Sequence, residues 1–512
     1  RSAVMWNGRP LSVRATSPLA LRTFTMRCRK TSVHGGIRPG GLPSALEAHG
    51  WQPPCLIRGL STRPVYEGAL QEFETQFLAT VADVPSATDP AQSSAVLRRL
   101  VKSNLLSFTD MQDNPEKFFM AHRLLATIGL NGFGIRFTVQ FNLFAGSILG
   151  LGGAEHLAML PQIQSKGELG CFLLTETQAG VLSGLIVETT ADWDAASHEF
   201  ILHTPSDKAS KNWISQGYTA EWGVVIADLR IAGQSHGPHP FLMRLRDAGG
   251  ALLPGIRIKD MGPKTVANDL DNARVWFDHV RLPPTALLNK YADVVDNEYV
   301  QTGPERMRIE VIGQRLLTGR LAIAQAALLH ALTLHRRTET HAQHKVCNGL
   351  AGETTLAEMP QLRAVLRESY AALDRLVAYA AAVEERLSDC LRRGTIPDAD
   401  LVEAIAVCKI KCIEVAIERC HALRLEVGSY ALMHGSGFEL MDMFLTAKFA
   451  EGDSRILQLK LARDRLKRVQ RGGLLGALRD ALSPHRREAL AALALARRLA
   501  PAGRDPARLQ AL

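Results

Sequence analysis

At 512 residues the chain exceeds one ordinary hydrophobic core, so two or three domains are expected. Its 46% hydrophobic and 22% charged residues are ordinary for a soluble globular protein. The net charge of +9 is poor support for a nucleic-acid-binding fold: eight Arg and Lys with no acid fall in residues 1–46, twelve with four acids in 463–512, and the body between is net acidic.

Residues 1–65 read as a separate segment, Arg-rich and acid-free over 1–46, with Gly and Pro scattered through 35–54. That composition suits an organellar transit peptide, or a disordered arm. From 66 to 167 the apolar period is helical, as in "ALQEFETQFLATVADV" and "SSAVLRRLVKSNLLSF". "GLGGAE" at 150–155 follows a helical stretch rather than a strand, so it lacks the context of a phosphate-binding glycine loop. Residues 168–295 change to short strand-like runs, including "CFLLTE", "HEFILHTP", "WGVVIADLRI", "PFLMRLRD" and "ARVWFDHVRLP", bounded by Gly, Pro, Asp and Asn. Over 296–474 the helical period returns in longer segments, at 306–337, about 354–394, about 398–432 and about 441–470. A basic Ala/Leu helix and a Pro-broken end fill 475–512. Helices, then strands, then a helix bundle is an α+β layout rather than a doubly wound one. No run reaches about 18 uninterrupted apolar residues, so no membrane span is expected. The longest candidates are interrupted by Gln140 and Asn142, and by Arg320 and Gln325.

Four pieces carry chemistry. "KFAEGDSRILQ" (448–458) sets Glu451 against Gly452, with Asp453 and Ser454 following, inside an otherwise helical stretch. This is either a solvated break between helices or a carboxylate base held at a kink. "GCFLLTETQAG" places Thr175 and Glu176 just past a strand, where backbone N–H groups and a hydroxyl could meet an anion or a polar ring edge. "KNWISQG" puts Trp213 and Ser215 two apart, hence on one face of a strand, suited to one side of a planar heterocycle or to core packing. "DNARVWFDHVRLP" carries charge on both sides of an apolar strand. Cys408, Cys412 and Cys420 share a helical segment, but without a Cys-x-x-Cys or other ligands no metal is expected.

In this order the pieces resemble the acyl-CoA dehydrogenase/acyl-CoA oxidase superfamily of flavoproteins, over about residues 66–470. "TET", "WIS" and "AEGDSRILQ" match three family segments in sequence, and "DNARVWFDHVRLPPTALLNKYADV" is similar to a stretch of the oxidase side. The resemblance implies an N-terminal helical domain, a middle β-barrel-like domain and a C-terminal four-helix bundle. It further implies FAD as cofactor and α,β-dehydrogenation of a fatty acyl-CoA to the trans-2-enoyl-CoA. Glu451 matches the base for the α-proton, and a dry pocket would raise its pKa. Gly452 would let the thioester approach the backbone. Thr175, Trp213 and Ser215 would meet the isoalloxazine, Arg274 would lie by base and substrate, and Gly428 near the adenine. Arg336 and Thr338, in "HRRTE", would reach the FAD pyrophosphate of a neighbouring subunit, which implies at least a dimer. Asp453, beside the base in place of a frequent Thr or Glu, would count among the cofactor contacts.

The chain also departs from the family. "QAGVLSG" puts Val181 where a hydroxyl usually follows the glycine, leaving Ser183 as a substitute, and Glu339 replaces a usual Phe. Only 61 residues follow Glu451, whereas oxidases of this superfamily usually continue with a further helical domain. The electron acceptor, oxygen or an electron-transfer flavoprotein, stays open, and with it a peroxisomal or mitochondrial location. A degenerate flavin-fold subunit without turnover is the alternative reading.

Overall fold

The computed structural model describes residues 67–464 except 130, 181–185, 304 and 351, and omits the side chains of 67–69 and 305–312. Val181 and Ser183, the transit-like segment 1–65 and the basic tail 475–512 lie outside the described residues.

Helices α1 (Glu67–Thr80), α2 (Pro90–Ser103), α3 (Asp110–Asp113) and α4 (Pro115–Ile128) open the described chain. Asp89 caps α2 by accepting from Gln92 N at 2.9 Å, with Pro90 in the first turn, where its missing N–H costs nothing. Next, α5 (Gly132–Thr138) passes through a π-helical stretch, Val139–Ala145, into α6 (Gly146–Leu151), and α7 (Ala154–Lys166) follows. The two amides that break the apolar run there are buried stitches. Gln140 Oε1 accepts from Gly170 N at 2.8 Å, and Asn142 Nδ2 donates to Arg315 O at 2.8 Å.

The strand-bearing region holds β1 (Gly170–Leu173), β2 (Thr190–Asp194), β3 (Glu199–His203), β4 (Lys211–Ser215), β5 (Trp222–Ile231), β6 (Gln234–Arg244), β7 (Ile256–Asp260), β8 (Asn272–Phe277) and β9 (Val280–Leu282), followed by the hairpin β10 (Ala292–Val295) and β11 (Glu298–Gln301). β5 is the spine of a six-stranded sheet: β1 and β2 pair parallel to successive parts of it, β6 pairs antiparallel, and β3 and β9 continue outward from β2. A second sheet runs β4-β8-β7. β4 is irregular between Lys211 and Ile214, and Trp213 within it has φ 57°. Two buried ion pairs fix this region. Arg136 on α5 meets Asp271 at 2.8 Å and also donates to Gln216 and Thr219, tying the helical part to the turn after β4. Lys211 meets Glu176 at 2.9 Å, locking the start of β4 against the end of β1.

Three long helices follow: α8 (Glu305–His344), α9 (Pro360–Arg393) and α10 (Ala399–Leu425). The hairpin β12 (Val346–Gly349) and β13 (Gly352–Thr355) links α8 to α9. Gly394, at φ 61°, ends α9, and Asp398 caps α10 through Leu401 N at 2.7 Å. α4 packs on α8, and Arg123, Gln325 and Glu384 join α4, α8 and α9 in one buried network. The stretch Gly313–His344 is long and apolar enough to cross a bilayer, but its most apolar window is 78% buried inside the protein. The last described elements are α11 (Met443–Phe449) and a helix over 454–464, separated by a break.

Candidate active site

The break at 450–453 is built from backbone chemistry. α11 stops at Phe449, Glu451 sits at φ 57° and Gly452 at φ 93°, and helix resumes at Ser454. Only a constrained setting keeps a glutamate in that left-handed region, at a cost of about 1–3 kcal/mol. A helix end also leaves carbonyls without intrahelical partners. Here two cations from other helices take them. Arg320 Nε, from α8, donates to Glu451 O at 2.7 Å. Lys409 Nζ, from α10, donates to Lys448 O at 3.1 Å, to Ala450 O at 2.8 Å and to Gly452 O. A Cβ on Gly452 would fall 3.1 Å from Arg320 Nη2, so both its φ and its neighbour favour glycine.

The Glu451 carboxyl lies against α8 at Gly319, where a Cβ would stand 2.3 Å from Glu451 Cδ. Its Oε2 is enclosed and has no hydrogen-bond partner. Burial pushes the carboxyl up to about 7, and the nearby Arg320 and Lys409 charges pull in the opposite direction. Burial likewise pushes the Lys409 ammonium down to about 7. Beside Ala450 opens an apolar cleft between α4, α5, α8 and α11, with Ala126, Gly134, Ile323, Ala326 and Ala447 in its walls. Glu451 thus follows directly in the chain on Ala450, which lines this apolar cleft.

The other sequence-predicted residues fall at separate places. Thr175 is exposed at the end of β1, and its carbonyl accepts from Asn212 N at 2.8 Å. Its neighbour Glu176 is structural, because its buried carboxylate is taken by Lys211, Glu188 N, Thr189 N and Thr189 Oγ1. Trp213 is 56% exposed, while Ser215 is half-buried and accepts from Asn272 Nδ2 at 3.1 Å. Thr175, Trp213 and Ser215 therefore belong to adjoining strand segments, with a large aromatic left facing outward. Gly428, at φ 58°, follows α10 with open space where a Cβ would sit.

Three of the expected positions have side chains with other surroundings in the fold. Arg274 is held by Asp207 Oδ2 at 2.9 Å and Ser210 Oγ at 2.8 Å and lies over Trp276, so its guanidinium is committed to the second sheet; the arginine beside Glu451 is Arg320. Thr338 is fully buried in α8 and its hydroxyl donates to Leu334 O at 2.8 Å, so it offers nothing to a second subunit, and the half-buried Arg336 beside it lies within a helix that runs on to His344. Asp453 has its carboxylate engaged by Arg455 N, Nε and Nη2, where it caps the helix after the break.

The cysteines stay with the packing reading. Cys408 and Cys412 are buried with their sulfurs 3.6 Å apart, and that contact and burial push the Cys412 thiol up, away from the thiolate a metal needs. One group among the described residues, His203, Asp278 and His279, clusters like metal ligands. The two imidazoles are stacked at 4.0 Å, so their ring-plane lone pairs run side by side rather than converging on an ion.

The described architecture, helical layer, two-sheet β region and helix bundle, is shared by solved flavoenzymes. No protein-family model matches the chain. Among curated proteins it is similar to human peroxisomal acyl-coenzyme A oxidase 3, 31% identical over 339 residues, covering 62% of this chain and 46% of that enzyme. The chain thus spans about half the length of that relative. Among solved structures it resembles acyl-CoA oxidase 1 of Yarrowia lipolytica, at TM-score 0.66 and 21% identity, covering 81% of this chain and 63% of that one. It also resembles a Mycobacterium smegmatis glutaryl-CoA dehydrogenase in complex with FADH2, at TM-score 0.58 and 20% identity, covering 76% of this chain and 94% of that one. The chain thus shares the fold of solved acyl-CoA oxidases and dehydrogenases, and the curated proteins it is similar to in sequence are acyl-CoA oxidases.

Glu451 and Gly452 are held in place by Gly319, Arg320 and Lys409, none of which the sequence singles out as a site residue. Two signals were present: a glycine followed by arginine inside a long apolar helix, and a lysine set among Ile405, Cys408, Cys412 and Ile413, all buried on α10.

Proposed function

We propose that the protein catalyses α,β-dehydrogenation of a fatty acyl-CoA to the trans-2-enoyl-CoA. The observation that carries this reading is Glu451: a buried carboxyl with a free oxygen and a pKa of about 7, beside an apolar cleft. In this reading Glu451 takes the proton from Cα of the thioester. The two cations that hold the turn spend their hydrogen bonds on backbone carbonyls, and Oε2 of the carboxyl stays without a partner. The cleft holds the acyl chain and excludes water, which keeps the ionised base reactive.

The exposed Trp213, with Ser215 on the same strand and Thr175 just past β1, fits the flat, polar-edged face of an isoalloxazine, and these residues would hold an FAD there. When bound, FAD supplies the acceptor for the hydride equivalent from Cβ. The FADH2 complex among the structural neighbours supports that cofactor, and the naming of the curated relatives supports oxygen as final acceptor and a peroxisomal setting. A subunit kept only for assembly would have no use for an unpaired, strained glutamate, so the non-catalytic alternative explains less.

The test is anaerobic addition of a series of acyl-CoAs to purified protein carrying flavin. Bleaching of the yellow chromophore by wild type, slowed at least ~10²-fold in Glu451→Gln with acyl-CoA binding retained, supports the proposal. Bleaching of the Gln variant at the wild-type rate removes Glu451 from the mechanism. Rapid recolouring in air identifies oxygen as acceptor.

A further inference from the structure

Lys409 is a fully buried lysine on an apolar helix stripe, and such a residue is costly unless its donors are met. An acidic side chain is the usual way to meet them. Here the ammonium instead donates to three carbonyls, those of Lys448, Ala450 and Gly452. These residues flank Glu451 on both sides, and the carbonyl of Glu451 itself is taken by Arg320. An ammonium has three donors and the site offers three acceptors, so the set closes only in the charged form.

We propose that Lys409 is the positioning residue for Glu451: it pins the carbonyls on either side of the left-handed turn, and its charge tunes how readily the carboxyl gives up its proton. The inference rests on Glu451 being the base. The groups facing that carboxyl are Arg320 from α8 and Lys409 from α10, while Asp453 and Arg455 on its own loop are paired with each other. Arg320 and Lys409 share the electrostatic load, but only Lys409 spans the break, from the last turn of α11 to the residue after the base. Asp453 also acts on Lys409, favouring its charged form. A planar guanidinium cannot cap three carbonyls as a compact ammonium does, so charge and geometry can be separated by substitution.

The experiment follows the Glu451 carboxyl directly. Infrared titration of the full-length protein from pH 5 to about 9 reads the protonated-carboxyl stretch, assigned by its loss in Glu451→Gln. Lys409→Met should move its midpoint up by about one pH unit, a tenfold change in proton affinity, because a nearby positive charge is gone. Lys409→Arg should keep the midpoint within about half a unit while slowing anaerobic flavin bleaching about tenfold or more, with little change in KM for acyl-CoA. A merely structural lysine would lower the melting temperature in both variants and leave the midpoint and the kcat-against-KM pattern unmoved, and that result overturns the inference. If Lys409→Met does not fold, Lys409→Gln, neutral with two donors, takes its place under the same criterion. If no acyl-CoA bleaches even the wild-type protein, the proposed activity fails, while the infrared midpoint still decides what Lys409 does to Glu451.

Discussion

Replacing Glu451 by Gln should stabilise the folded protein, and only above a particular pH. Burial holds the carboxyl at about 7 in the fold, against 4.5 for a free glutamate. Between those values the folded state binds more protons than the unfolded chain, so stability falls as pH rises from about 4.5 to about 7 and is level above that. A difference of roughly 2.5 pH units corresponds to about 3 kcal/mol, reduced to ~2 by solvent at the exposed edge of the residue. Gln does not titrate and keeps the backbone contacts to Arg320 and Lys409, which use carbonyls rather than the side chain. Lys409 titrates in both proteins, with the opposite sign: its lowered value removes stability as pH falls from about 10.5 towards about 7, so its contribution largely cancels in the comparison. The assay is chemical denaturation of both proteins at pH 5 and pH 8.5. Expected is near-equality at pH 5 and a gain of about 2 kcal/mol for Gln at pH 8.5. Equal stability at both values, or a gain that shrinks with rising pH, refutes the claim that the fold strains against an ionised Glu451.

Gly319→Ala should leave the melting temperature unchanged or raised, since alanine favours the helix by about 1 kcal/mol and the clashing atom is the movable end of a side chain. The same substitution should cut anaerobic flavin reduction at least ~10-fold, because it moves the carboxyl proposed as the base; unchanged reduction would show that the carboxyl does not work from its place against α8. Lys211→Met strands Glu176 as an uncompensated buried charge and should cost about 3–5 kcal/mol in denaturant titration at pH 7. A loss below about 1 kcal/mol would mean the pair does not hold β1 to β4.

The layered fold was readable because its periods differ. "WGVVIADLRI" and "PFLMRLRD" could only be strands of a well-covered sheet, and they became adjacent strands β5 and β6. The hairpin at Val346–Thr355 was not anticipated: "VCNGLAGETT" is short, polar and half-exposed, and the interval between two long helices read simply as a connection. α8 outran its expected end at 337 and reached His344, since "TETHAQH" carries no glycine or proline to stop it. That extension is also why "HRRTE" misled. A segment expected at a helix end proved to be helix interior, with Thr338 turned into the core.

The site divides along the same physical line. Glu451 and Gly452 are neighbours in the chain, and a carboxylate beside a helix-weakening residue is a local signal. The residues that give Glu451 its properties lie far away in sequence: Arg320 is 131 positions from the carbonyl it holds, and Lys409 is 43 from Gly452. Nothing local marks such partners, because their contacts exist only once α8 and α10 pack on the break. Arg274 shows the converse, since a charged residue in a strand-like run names a position but not its partners, which here are Asp207 and Ser210. What remains informative is cost. A left-handed glutamate, a buried lysine and a glycine inside a long helix each destabilise the chain when taken singly. All three meet at the 450–453 break, and under the proposed function that convergence is what a prepared base needs and a solvated break between helices does not.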